Sequence, residues 1–439
     1  MKDIVLALFS LGVMALGMAA PFVLTLGYFW ASILKPQNLA YGFFKPLPIA
    51  MILAVSAVLT YFVVDRRAPP KFTALHMLMG LFALWVTLTT FNALYPQQAW
   101  WKWNWAFKEI AFACFIPFVI RTRIHLEALL YVLTVGTVPL VAAAGFKAIL
   151  SGGGGYGEIE VAGQNNVGLA ESSMLAMFSV MAIVIVLYLR KHTLIMPRNW
   201  IATVAVAGYV VLCLAAAVGS FARTGLVAFA VMAAVTWWFS RYKIRLSVVF
   251  LVVAGIALMA LPEAWYARMD TILHPAADTS ASTRLEVWGW TLRFVQEHPF
   301  GGGFFSYLAN LGFIPGQGRA RAFHSIYFEV LGEHGYVGLV IFVSILLVAM
   351  KMSYGIYRRN RGNAELIWLS DLGRAVLTCL LVFASGGAFI GVAFQPWAYL
   401  LSAMVIMLRS YEKRYHLSRN SVALQGGGRD VVDPKLSLT

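Results

Sequence analysis

Repeated apolar runs of membrane-crossing length constrain this chain more than any other feature. They fall at roughly 4–34, 47–64, 73–91, 106–120, 126–149, 168–189, 200–218, 221–239, 246–261, 326–350, 373–392 and 396–409. About 20 apolar residues cross the hydrocarbon core, and within it each backbone N–H and C=O must be satisfied inside the structure. Successive helices meet that demand, so the pattern predicts an all-α polytopic membrane protein. The first run is longer than one straight span needs, and Gly17 and Pro21 mark a kink or a division into two half-helices. Charged residues make up 12% of the 439, far below the ~25% of a soluble domain.

Charge in the connections orients the spans. Basic clusters occupy every second connection: Arg66 to Lys71, Arg121 and Arg123, Arg190 to Arg198, Arg241 to Arg245, Lys351 to Arg361, and a tail with Arg409, Lys413, Arg414 and Arg419. The positive-inside rule makes these cytoplasmic and explains the net charge of +15 without nucleic acid as a partner. The connections near 35–45, 97–105, 151–166, Gly219 and 262–325 are then periplasmic. With the N-terminus inside, residues 4–34 cross once, which gives about 12 transmembrane helices. The expected organisation is helices 1–9 in 1–261, a large periplasmic loop with short helices at 262–325 over the active site, helices 10–12 in 326–415, and a disordered cytoplasmic tail at 416–439. Cys114, Cys213 and Cys379 all lie in apolar runs and read as packing residues. The tryptophans of QQAWWKWNW, at 97–105, read as an interfacial aromatic belt.

The 262–325 loop carries five Arg, three His and no Lys. Arg223, in GSFARTGLVAF, sits at the outer mouth of its span, where a charge faces a cavity or a partner. Thr283-Arg284-Leu285-Glu286 is a capping-box pattern that starts a helix ending near Glu297, before Pro299 and the Gly301–Gly303 run. Arg284 then lies in the first turn, where free N–H groups already favour an anion, so a cation there suggests a bound anion. Arg293 falls on the opposite helix face. Arg319 and Arg321, in GQGRARAF, read as a solvated pair within reach of a phosphate. His324 precedes the next span, with Ser325 as its N-cap, and an imidazole at such a place can serve as a general base near neutral pH. His334 lies ~15 Å further along that helix. Gly332, Gly335 and Gly338 read as close-packing positions. No cluster has metal-ligand spacing, and the outer face shows few organised carboxylates. Arg and His without a metal suit binding a diphosphate and activating a hydroxyl.

At these residues the chain resembles the O-antigen ligases, within the bacterial O-antigen ligase/polymerase (Wzy-type) superfamily. The matching pieces are SFARTG around Arg223, RLEVWGWTLRFVQEHPFGGGFFSY from Arg284 and HSIYFEVLGEHGYVGL from His324. They cover about 219–350, and His324-Ser325 stands where the family pattern often has His-Asn. The KPQNLAYGF stretch resembles the branch of exosortase-associated O-glycosylation ligases, which leaves the acceptor open. The resemblance implies a GT-C-like fold in the bacterial inner membrane with a periplasmic active site. It implies an undecaprenyl diphosphate-linked polysaccharide as donor and a lipid A–core sugar as acceptor, with no cofactor, metal or ATP. Arg223 and Arg284 would hold the diphosphate, and His324 would deprotonate or orient the acceptor hydroxyl, with inversion at C1. A Wzy-type polymerase, a protein O-oligosaccharyltransferase and a lipid-linked sugar transporter are the competing expectations. A transporter fits least, because no inverted repeat or charged midplane site is evident.

Overall fold

The computed structural model describes residues 2–34, 36–151, 171–260, 263, 265–266, 279–313 and 318–425. The regular structure among these residues is helical, and no strand occurs among them. The helices are α1 (Lys2–Ala19), α2 (Pro21–Leu34), α3 (Ile49–Val64), α4 (Ala74–Phe91), α5 (Pro96–Val119), α6 (Arg123–Ser151), α7 (Ser172–His192), α8 (Trp200–Gly219), α9 (Arg223–Phe239), α10 (Lys243–Ala260), α11 (Thr279–Glu297), α12 (Ile326–Asn360), α13 (Ile367–Gly386) and α14 (Pro396–Gln425). Among the described residues seven are long and apolar enough to cross a membrane, and α2, α3 and α9 are shorter apolar helices. The all-helical, multi-pass architecture stands; the number twelve does not follow from it. Helices α7 and α13 run through the interior, and lipid-length apolar faces such as that of α1 remain exposed, as a bilayer solvent allows.

Residues 4–34 depart from the single crossing expected of them. Pro21 has no N–H to continue the ladder of α1. Gly17 lets the chain double back, because a Cβ there would stand 2.2 Å from Leu24 Cγ. Next along the pair, a Cβ at Gly27 would stand 2.6 Å from Val13 Cγ1, and Phe9 and Trp30 have ring centroids 4.6 Å apart. This descending and ascending register makes α1 and α2 an antiparallel hairpin. Its open end is tied by the Asp3 carboxylate, which accepts from the Gly42 N–H at 2.8 Å and from those of Tyr41 and Phe44 at 3.2 Å. Lys2 therefore lies at the same end of the bundle as the 41–44 connection, and the parity count based on an inside N-terminus fails.

The basic connections do collect at one end. Arg67 reaches the Val119 carbonyl at 3.2 Å, Arg123 the His192 carbonyl at 2.6 Å, and Arg414 the Arg121 carbonyl. Asp371 takes Lys191 and His192, each at 2.6 Å. At the opposite end the Leu94 N–H donates to the Gly302 carbonyl at 2.9 Å, which joins α4 to the segment leading into α12.

Three further boundaries differ from expectation. The QQAWWKWNW stretch is no connection: Pro96 opens α5 at its first position, and the tryptophans ride its first turns. Trp103 packs inward and donates to Thr87 Oγ1 at 2.9 Å, while Trp101 stays exposed. Helix α14 continues to Gln425, past the Tyr415 limit set by the sequence pattern, and 426–439 lie outside the described residues. The 151–166 connection also lies outside them, apart from Ser151.

Candidate active site

Helix α12 is broken at Gly335, whose φ of 67° and ψ of −167° interrupt the ladder. The break frees carbonyls, and the glycine run 301–303 takes them up. Gly302 N–H donates to the Gly332 carbonyl at 3.0 Å, and Gly303 N–H donates to that of Glu333 at 2.8 Å. In exchange Tyr336 N–H donates to the Pro299 carbonyl at 3.1 Å. Gly301 and Gly303 have positive φ, and a Cβ at Gly301 would stand 2.5 Å from the Glu333 backbone. Only glycine permits both the conformation and the approach. The run expected merely to end a helix thus seals the break in another.

Three charges that the sequence did not flag meet at this level. Lys102 Nζ, from α5, donates to Glu329 Oε1 at 2.8 Å and to Glu333 Oε1 and Oε2 at 2.9 and 2.8 Å. All three residues are buried. The carboxylates are otherwise satisfied by backbone: the Phe305 N–H donates to Glu333 Oε1 and the Ala393 N–H to Glu329 Oε2, both at 3.0 Å. The expectation of few organised carboxylates at this end is therefore corrected. One signal was available: Glu329 and Glu333, four apart, share a helix face.

His324 stands directly before α12 with φ at 48°, a left-handed conformation that costs a non-glycine residue about 1–3 kcal/mol. Ser325 occupies the N-cap position, but its side chain makes no capping bond. Helix α11 fixes the approach to this turn. Trp288 Nε1 donates to the Phe323 carbonyl at 2.8 Å, and its ring stacks on Phe328 with an interplanar angle of 2°. Helix α11 starts at Thr279, so Thr283 is not its cap and Arg284 lies beyond its first turn. The Thr-x-x-Glu pattern sits inside a helix that the polar Thr-Ser-Ala-Ser stretch already begins. With Arg284 beyond the first turn, the free N–H groups of the helix start do not mark an anion site beside it. The end at Glu297, before Pro299, is as expected.

Arg284 is half-buried, and its Nε is buried without a hydrogen-bond partner. Its charge acts on His324 and on Glu171, the N-cap residue of α7. Burial first, then Arg284 and Arg321, hold the His324 imidazole below its usual range, while Glu329 opposes them. Glu171 is exposed, yet its surroundings raise its carboxyl, Arg284 counters that, and Glu329 adds to it. Arg321 is anchored through its backbone: its N–H donates to Asn310 Oδ1 at 2.8 Å and its carbonyl accepts from Asn310 Nδ2 at 2.7 Å. Arg319 is exposed.

Arg223 is the first residue of α9. The helix start is wedged inward, since a Cβ on Gly225 would stand 3.1 Å from that of Ala176, and one on Gly386 would stand 3.3 Å from Thr224 Cγ2. The adjacent Gly387 meets Ile326, with a Cβ there 2.7 Å from Cδ1. Arg284, His324 and Glu171 thus lie within electrostatic reach of one another, and Arg223 opens a helix packed against α7 and α13 at the same end, here called the mouth. Arg293 instead lies over the Phe313 ring, 4.8 Å from its centroid, and His298 stacks on Phe294. His334 is fully buried, with Nδ1 2.6 Å from Thr89 Oγ1.

The fold is that of an all-helical, multi-pass membrane protein, with Arg223, Arg284 and His324 at the end opposite its basic connections. Residues 208–343 match the family model described as O-Antigen ligase, and residues 1–194 match a family of unknown function, DUF5935. The first of these matches supports a place for residues 208–343 in the O-antigen ligase/polymerase superfamily. No curated protein matches the chain. The ligase-family match contains Arg223, Arg284, Arg319, Arg321, His324, Glu329 and Glu333; Lys102 and Glu171 lie in the other.

Proposed function

We propose that this chain is an O-antigen ligase, a glycosyltransferase that moves polysaccharide from undecaprenyl diphosphate to a sugar hydroxyl of lipid A–core. In this reading it lies in the bacterial inner membrane, with a GT-C-like fold and the mouth facing the periplasm. Arg223 and Arg284 grip the donor diphosphate through bidentate contacts, with Arg321 and Arg319 adding positive charge at the rim. His324 takes the proton of the acceptor hydroxyl. The oxygen attacks sugar C1 from the face opposite the diphosphate, the C1–O bond breaks, and the leaving lipid diphosphate keeps the electron pair. Inversion follows, and no metal or cofactor is required.

The observation that supports this most is the pairing of Arg284 with His324. A guanidinium with a buried, unpartnered Nε has hydrogen-bonding capacity to offer an anion. Burial first, and the Arg284 charge second, favour the neutral His324 imidazole, which can accept a proton. Gene deletion tests the reading. A ligase predicts unmodified lipid A–core beside accumulated lipid-linked polymer. A single attached repeat unit would make the chain a polymerase instead, and unchanged lipopolysaccharide would exclude both. With purified components, His324→Ala should lower transfer by about 10²–10⁴-fold with donor binding kept.

A further inference from the structure

A concavity lies at the end of the bundle opposite His324. At the basic end, a cavity of ≈ 450 Å³ opens between α12 and α14, lined by Lys351, Tyr354, Gly355, Arg358, Arg359 and Arg409. Two of its cations are built in place. Glu412 is buried, accepts from Arg359 Nε and Nη2 at 2.9 Å each and from Asn360 Nδ2 at 2.7 Å, and pairs with Arg409. Gly355 makes room for this, because a Cβ there would stand 2.8 Å from Arg359 Nη1. Lys351 and Arg358 have no carboxylate partner among the described residues. One carboxylate therefore faces four cations, and the surplus is positive.

The surroundings are those of a membrane surface. Tyr354 is exposed at the rim, and Phe239, at the end of α9, approaches it with ring centroids 6.4 Å apart. The turn that carries Arg241 follows Phe239 directly. Apolar faces of α9 and α12 continue from the rim into the span, where Trp238 and Leu347 are exposed. A concave cationic site above exposed apolar helix faces matches a ligand with a phosphate head and hydrocarbon tails. A free anion would use only the first half of it.

We propose that this cavity binds the headgroup of an anionic phospholipid. Arg359 and Arg409, fixed by Glu412, present rigid donors, and Lys351 and Arg358 close on the phosphate from the rim. The site is independent of the transfer chemistry at the mouth.

The test uses the purified full chain in detergent, with native mass spectrometry and thermal unfolding as readouts. Wild type should retain cardiolipin or phosphatidylglycerol and be stabilised by them, but not by phosphatidylethanolamine. The Lys351→Gln/Arg358→Gln double variant should bind them on the order of 10-fold or more weakly. The Arg66→Gln/Arg198→Gln variant, with equal charge removed from exposed positions at the same end, should bind as wild type does. An equal loss in both double variants would reduce the effect to general surface attraction and overturn the proposal. So would equal binding of phosphatidylethanolamine, or full stabilisation by inorganic phosphate alone, which would identify a free anion as the ligand.

Discussion

Lys102 Nζ lies 2.8 Å from Glu329 Oε1, across a sequence separation of 227 residues. With Glu333 it forms the most deeply buried charge cluster near the mouth. Removing one partner of such a group leaves ions without compensation, which costs about 3–5 kcal/mol. Lys102→Met should therefore lower the thermal unfolding temperature strongly, whereas the Lys102→Met/Glu329→Gln/Glu333→Gln triple variant should recover much of the loss. A Lys102→Met protein as stable as wild type would show that the cluster contributes nothing.

The arginines of the mouth should not tolerate lysine. Lysine keeps the charge but loses the planar fork, and each charge-assisted contact is worth about 1.5–3 kcal/mol. Arg223→Lys and Arg284→Lys should each slow polymer transfer by roughly 10–100-fold at matched expression. Wild-type rates in both would leave these residues as cations serving only the membrane surface.

The acid limb of the rate profile reports on His324. Burial and Arg284 depress its pKa, so the neutral base persists below the unperturbed value of about 6.5, and transfer declines only as pH falls through the lowered value. Arg284→Gln removes a cation that disfavours imidazolium, so the limb should move to higher pH in whatever activity remains. Initial rates measured across pH 5 to 8, roughly the range in which histidine titrates, check the sign. A limb that stays in place would mean that Arg284 does not act on the base.

The hairpin changes what topology mapping should find. Tyr41→Cys and Ala309→Cys, both exposed, should react with an impermeant thiol reagent from the periplasm, and Arg198→Cys only after the inner membrane is opened. Reaction of Arg198→Cys in intact cells would invert the model and move the mouth to the cytoplasm.

What could be read in the sequence follows the range of the forces involved. The places of Arg223 and His324, at or just before a helix start, were legible because each is a polar residue at the edge of an apolar run, a local contrast. The end of α11 was legible because Pro299 stops a helix by its own geometry. Its start was not: Thr283 and Glu286 fit a cap and a helix interior equally well, and only the residues upstream decide. Glu329 and Glu333 were hidden by distance, since their partner comes from α5 and stands among tryptophans that read as interfacial. The α1–α2 hairpin was hidden for another reason. Gly17 and Pro21 permit both a kink and a reversal, and it is Leu24 on Gly17 and Asp3 on the 41–44 backbone that settle it.

The clamp at Lys102 also makes the two recognisable portions of the chain chemically incomplete alone. Its ammonium comes from the portion matched at 1–194 and its carboxylates from the portion matched at 208–343. A bilayer penalises an unneutralised ion in either fragment by several kcal/mol, so each fragment would carry a charge debt that only the other cancels. Severed within the 193–199 connection and produced together, the halves should copurify as a heterodimer, and Lys102→Met should weaken that association. In this sense the cluster works as a recognition tag within one polypeptide: it tells the first half which second half completes it.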